Sequence, residues 1–229
     1  MSLTAAQQLI QSLLLHANYQ QQQPASTDEA IRPPLTITLS RDHGAGGCAV
    51  AQRLSERLQL PLWDSSILHR IADATQVDPT LMAALDERMR QRRDAWMYNF
   101  LTGQNANITS YRHHLVNVLL GIREQGGIII GRGAHLLLQG SRLLRLRIVG
   151  SVDRCAARLI ARGEVADEPT ARAAVIRVNR EREQFISRTF GASLNCATDF
   201  DLIINSDPFN DNWDAMVTLL QCAVAVWDQ

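Results

Sequence analysis

The stretch LTITLSRDHGAGGCAVAQRLSERL, residues 35–58, constrains the fold more than any other part of this chain. Its opening residues are apolar and β-branched, as a short buried strand requires. Gly44, Gly46 and Gly47 then permit a tight turn. Beyond the turn, Val50, Ala51, Leu54 and Leu58 fall on one face at helical spacing. A strand that enters a helix through glycines gathers several backbone N–H groups and the positive helix end around one point, which suits an anion. A standard phosphate loop reads G-x-x-x-x-G-K-[ST]. Here the same place reads RDHGAGGC, without the lysine.

That absence is general. All 23 basic residues are arginine, so lysine-based phosphate contacts and Schiff bases are excluded. Any cationic chemistry must use guanidinium, which is planar, always charged and able to clamp phosphate with two bonds. Net charge is zero, so nothing global favours a nucleic acid polymer or an anionic membrane. Cys48, Cys155, Cys196 and Cys222 are widely spaced with no C-x-x-C pair, and read as free thiols of a reducing compartment. The first basic residue is Arg32, no charged leader region is expected, and no apolar run approaches membrane-spanning length. A cytoplasmic protein is expected.

Residues 4–17 read as a short amphipathic helix on Leu9, Ile10, Leu13 and Leu14, followed by a polar, proline-punctuated linker. Residues 1–34 form an accessory segment, and its helix could pack on the core or join two copies into a homodimer. Strands are expected at about 35–40, 61–63, 127–131, 143–149 and 201–205. Helices are expected at about 47–59, 65–76, 79–93, 108–125, 151–162, 168–187 and 211–226. Such alternation implies an open, parallel five-stranded α/β sheet with helices on both faces. Ligands then sit beyond the carboxyl ends of the strands. That rim gathers SRDHGAGG, WDSS and GRGA, while 79–125 interrupts the alternation as a separate helical lobe.

Each motif has a plainer reading. The glycine loop could be helix-entry punctuation. In LWDSSILHR, Asp64 and Ser65 could simply cap a helix, with Arg70 on its solvated surface. In GIIIGRGAHLLL, an arginine between two glycines after a buried strand favours close approach of a ligand over a plain turn. Arg177, Arg180, Arg182 and Arg188 share a helix with Glu181 and Glu183, which could be a salt-bridged solvent face or a lid carrying arginines to phosphates. Asp42 and His43 sit in the loop itself. His113 and His114 have no spacing that suits one metal.

Taken in order, GAGG, DSSILHR, GRG and NRER resemble the P-loop nucleoside monophosphate kinases. The loop SRDHGAGG is similar to that of their divergent cytidylate kinase-like group, whose loop reads S-R-x-x-G-x-G-G. The resemblance covers about residues 35–226. It implies a three-layer P-loop NTPase domain over 35–229, with an acceptor lobe at 79–125 and a lid at 163–195. It implies ATP with magnesium, and small-molecule nucleotides as substrates, with CMP or dCMP as acceptor. Gly44, Ala45, Gly46, Gly47 and Cys48 would hold the donor phosphates. Asp64, Ser65, Arg70 and Arg132 would hold the acceptor, and Arg41, Arg132, Arg180 and Arg182 would act on the transferring group.

The chain departs from the family pattern in several places. Arg41 stands where cytidylate kinases have the first loop glycine, and Gly47 stands for the lysine. Cys48 and Ala49 stand where a hydroxyl would help hold magnesium. Ile130 and Gly133 replace the aspartates of the D-G-R-D turn. Arg41 is therefore the expected stand-in for the missing charge, and Asp42 or Asp64 the expected magnesium ligand. Two other readings remain: a non-catalytic nucleotide or phosphometabolite binder on the same fold, and a kinase of another small substrate.

Overall fold

The computed structural model describes residues 33–64 and 106–227. The helices expected at 4–17, 65–76 and 79–93, with Ser65 and Arg70, lie outside these residues. The chain divides into two units, one of which comprises Pro34–Ser65 and Gln125–Gln229. Among the described residues the other contributes essentially one helix.

Numbered in chain order, the described elements are β1 (Thr36–Arg41), α1 (Gly47–Leu58), β2 (Leu62–Trp63), α2 (Ala106–Gln125), β3 (Gly127–Ile130), α3 (Ala134–Leu137), β4 (Leu143–Val149), α4 (Val152–Ala161), α5 (Glu168–Phe190), β5 (Leu202–Asn205) and α6 (Trp213–Trp227). Helix α2 belongs almost wholly to the other unit, and buries Leu115, Val116, Val118, Leu119 and Ile122 along one stripe.

The five strands form one sheet in the order β2-β3-β1-β4-β5, parallel throughout. Register explains its two different faces. Ile37 lies beside Ile128 and Leu144, and Leu39 beside Ile130 and Leu146. These side chains share one face and form the main core with Val50 and Leu54 of α1, Leu159 of α4, and Met216, Val217 and Leu220 of α6. The opposite face carries Thr36, Thr38, Ser40, Arg145 and Arg147 at the alternate positions. β4 is therefore not a uniform apolar run: two of its seven residues are arginines facing one side. On that side His135 of α3 meets Ser40, and Ile186, Leu194 and Phe200 form a second cluster.

Helix α5 serves both clusters. Ala171 and Val175 join the main core, and Ile186 joins the second. Asp167 caps its start and Gly191, at φ 67°, ends it. The strand order sets β2, β3 and β1 side by side, so the segments that follow them line one stretch of the carboxyl rim. Those segments contain Asp64, Gly131–Gly133 and the glycine loop.

Candidate active site

The loop after β1 needs its glycines for two reasons. Gly44 and Gly46 have φ of 81° and 79°, where a side chain is strained. They also touch their neighbours. A Cβ on Gly44 would lie 2.7 Å from the Cys155 carbonyl oxygen, one on Gly46 2.3 Å from the Trp213 ring, and one on Gly47 2.6 Å from Arg41 Cβ. The amide of His43 donates to Asn179 Oδ1 at 2.7 Å, that of Ala45 to the Asp42 carbonyl at 3.3 Å, and that of Val50 to the Gly46 carbonyl at 3.0 Å. The N–H groups of Gly44, Gly46, Gly47, Cys48 and Ala49 have no partner among the described residues. Gly44–Gly47 are buried. Buried donors without acceptors are costly, so this cradle fits a phosphate.

Arg158 holds the cradle from behind. It is buried in α4, donates to Ser206 Oγ at 2.9 Å and to the Gly44 carbonyl at 3.4 Å, and pairs with Asp211 at 2.5 Å. Its guanidinium also lies 5.1 Å from the centre of the Trp213 ring. Arg158, Ser206 and Trp213 are loop-supporting residues that no sequence motif marked, and Asn179, which opens the NRER motif, supports the loop as well.

Beside the loop lies a cavity of about 340 Å³, whose lining includes Arg41, Arg132 and Arg182. Arg41 ends β1, and its Nη1 would be 2.8 Å from a Cβ on Gly131. Its Nε is buried without a partner among the described residues. Arg182, from α5, donates to the Arg41 carbonyl at 2.8 Å. Burial, and then the charge of Arg41, pushes the Arg182 guanidinium down to about 10. Arg132 has φ 57° between Gly131 and Gly133, both also left-handed, and its guanidinium stands 5.6 Å from the Phe185 ring centre. The one carboxylate among the described lining residues, Glu181, pairs with Arg177 at 2.8 Å. Val178, Phe185, Ile186 and Leu194 form its apolar wall. Three like charges in a half-apolar cavity are an unfavourable arrangement until an anion joins them.

Not every expected site residue is in this cavity. Arg180 is exposed and does not line it, and Cys48 is exposed at the helix start. Asp64 lies just past β2, partly buried, and has interactions of its own. Asp42 faces Arg147 at 3.3 Å and accepts from the Gly150 amide at 3.4 Å. Burial raises the Asp42 carboxyl above its ordinary 3.8 despite Arg147, Gly150 and Arg182. Arg147 is itself fixed by the Leu194 carbonyl and by Asn195 Oδ1. A carboxylate so engaged does not fit a magnesium ligand, and among the described residues no three acidic, His or Cys side chains gather for a metal.

On the polar face, His135 is 2% exposed, stacks on Phe200 at 4.5 Å, and has Nδ1 3.3 Å from Ser40 Oγ. Burial, with Arg147 and Arg145 nearby, pushes its ring down from 6.5 to about 4. His43 is pushed in the same direction by burial and by Arg182.

Comparison with known proteins agrees with this geometry. Residues 36–208 match the model of the cytidylate kinase-like family. A crystal structure of an uncharacterised protein from Eubacterium ventriosum ATCC 27560 has TM-score 0.63 at 20% identity, over 82% of this chain and 98% of that one. Shikimate kinase from Bacteroides thetaiotaomicron aligns at 19% identity and TM-score 0.44, over 83% and 98%. A gluconokinase from Sinorhizobium meliloti 1021 aligns at 13% identity and TM-score 0.44, over 85% and 93%. No curated protein matches significantly. The family match over residues 36–208 spans most of the chain, which belongs to the cytidylate kinase-like family.

Proposed function

We propose that this chain transfers the γ-phosphoryl group of ATP to a nucleoside monophosphate, with CMP or dCMP as the acceptor. One observation carries the reading. Three guanidiniums line a single cavity beside an unsatisfied glycine loop, and the only carboxylate among the described lining residues is already paired. In this scheme the N–H groups of Gly44, Gly46, Gly47, Cys48 and Ala49 hold the donor phosphates. Arg132 takes the acceptor phosphate, whose oxygen attacks the γ-phosphorus while the bridging bond to ADP breaks. Arg41 replaces the absent lysine, and with Arg182 it stabilises the charge spread over the equatorial oxygens. Arg180, exposed on α5, is left outside this set.

Magnesium, if bound, would supply positive charge to offset that of the donor phosphates. Asp42 is held by Arg147, which leaves Asp64 as the other rim carboxylate to hold it. Residues 79–125 would supply the acceptor lobe, and residues 1–34 a dimer contact. Among the described residues no helix is long and apolar enough to cross a membrane, and a cytoplasmic enzyme acting on small-molecule nucleotides is part of the same proposal.

The Asp42–Arg147 pair and the missing lysine favour a second reading, a binder that keeps the cradle without the chemistry. A melting-temperature screen against nucleotides, with and without magnesium and followed by product analysis, separates the two. A ligand at a hundred times its Kd adds about 2.7 kcal/mol. A shift by ATP and CMP together with CDP formation supports the kinase. A shift without product supports the binder, and no shift with any nucleotide sinks both.

A further inference from the structure

Ser40 adds a neutral polar group to the arginine cavity. It is 5% exposed, and its only hydrogen bond among the described residues is to His135 Nδ1. The direction of that bond decides what the hydroxyl can do. The ring faces two guanidiniums, Arg147 and Arg145, and is neutral at ordinary pH, with one N–H. Its Nε2 is buried and has no partner among the described residues. A proton on Nε2 would leave a buried N–H orphaned, which folded proteins avoid more strictly than a bare acceptor. The proton therefore sits on Nδ1 and is donated to Ser40 Oγ. The Ser40 O–H then has no acceptor among the described residues, and the cavity is where it can find one. Ile186 and Leu194, which line the same cavity, lie on the sheet face that carries Ser40, so the hydroxyl and the cavity are on one side.

We propose that Ser40 is a hydrogen-bond donor to the phosphate bound in this cavity, and that His135 is a positioning residue that turns its proton toward that phosphate. This rests on the cavity being a phosphate site.

Isothermal titration of inorganic phosphate, and separately of CMP, into the full chain tests it. Ser40→Ala should weaken both about tenfold or more, as the loss of a hydrogen bond to a charged group does. His135→Asn, which can present an amide N–H where Nδ1 lies, should bind nearly as wild type, and His135→Leu should bind several-fold weaker. In the Ser40→Ala background, His135→Leu should cost nothing further, because the hydroxyl it acts through is gone. Wild-type affinity in Ser40→Ala overturns the proposal. Equal losses from His135→Leu in both backgrounds make His135 a packing residue and overturn its positioning role. A wild-type chain that binds neither phosphate nor CMP removes the underlying reading as well, whereas tight binding unaffected by Ser40→Ala removes this inference alone.

Discussion

Arg182→Met should make the free protein more stable while making phosphate less able to stabilise it. The charged guanidinium is disfavoured in the unliganded cavity, where burial and Arg41 hold it at about 10, well below its value in the open chain. Because the folded value lies below the unfolded one, folding penalises the charged form at every pH below about 10, and relief comes only as pH rises through that value. A neutral-pH measurement therefore sees the whole penalty. At about 1.4 kcal/mol per unit the cost is about 3.5 kcal/mol, and partial exposure screens it to roughly 2.5. Methionine keeps most of the packing but loses a charge-assisted bond to the Arg41 carbonyl, worth about 1.5 kcal/mol. The net gain is about 1 kcal/mol, or roughly 2–4 °C in a chain of this size. Melting curves at pH 7.5 over a phosphate series provide the assay. Wild type should start lower and climb steeply, the variant should start higher and climb little, and the two lines should cross. A variant that starts lower and climbs as far as wild type would refute the reasoning and make Arg182 a structural residue.

His135 should make the fold acid-sensitive. Between pH 6.5 and about 4 the unfolded chain accepts a proton that the folded ring refuses, so stability falls as pH drops, by up to about 3 kcal/mol. Urea titrations at pH 7 and 4.5 should show that slope reduced in His135→Leu, and an unchanged slope would contradict a neutral buried ring. Gly133→Ala should destabilise by about 2–4 kcal/mol, because φ is 71° and the new Cβ would lie 2.3 Å from the Phe190 ring. Its denaturation midpoint and its CMP affinity should both fall, and a wild-type midpoint would be inconsistent with that contact. Arg158→Met should cost about 2 kcal/mol, less than a fully buried pair because Asp211 is half exposed. It should also weaken ATP, since the Gly44 carbonyl loses its donor, and intact ATP affinity would separate Arg158 from the loop.

The sheet was largely legible because its strands are short apolar runs bounded by glycine or polar turns: four of the five strands have both ends within one residue of those expected, and β4 matches at both ends. The polar face was harder to see. LLRLRIV looks apolar by composition, and only the alternation of Arg145 and Arg147 records that one side meets His135, Phe200 and the α5 terminus. Helix α3 has four residues, too few to express a helical period. At the site, Arg41 could be reached by elimination, since the loop holds no other cation. Arg158, Ser206 and Trp213 could not. They lie more than a hundred residues from Gly44 and Gly46, carry no motif, and gain their meaning only when α4 and α6 pack behind the loop. The glycines showed that a turn was needed, but not that a ring and a carbonyl press on them.

The central claim is that the Arg41–Arg132–Arg182 cavity serves phosphoryl transfer from a donor held on the glycine loop. Its most direct test is chromatographic separation of nucleotides after the chain is mixed with ATP, magnesium and CMP or dCMP, run beside Arg41→Met at matched folding. The account predicts equal formation of ADP and the acceptor diphosphate by wild type, and none by the variant despite a similar melting temperature. Diphosphate formation undiminished in Arg41→Met, or no binding and no product from the wild-type chain with either acceptor, would contradict it.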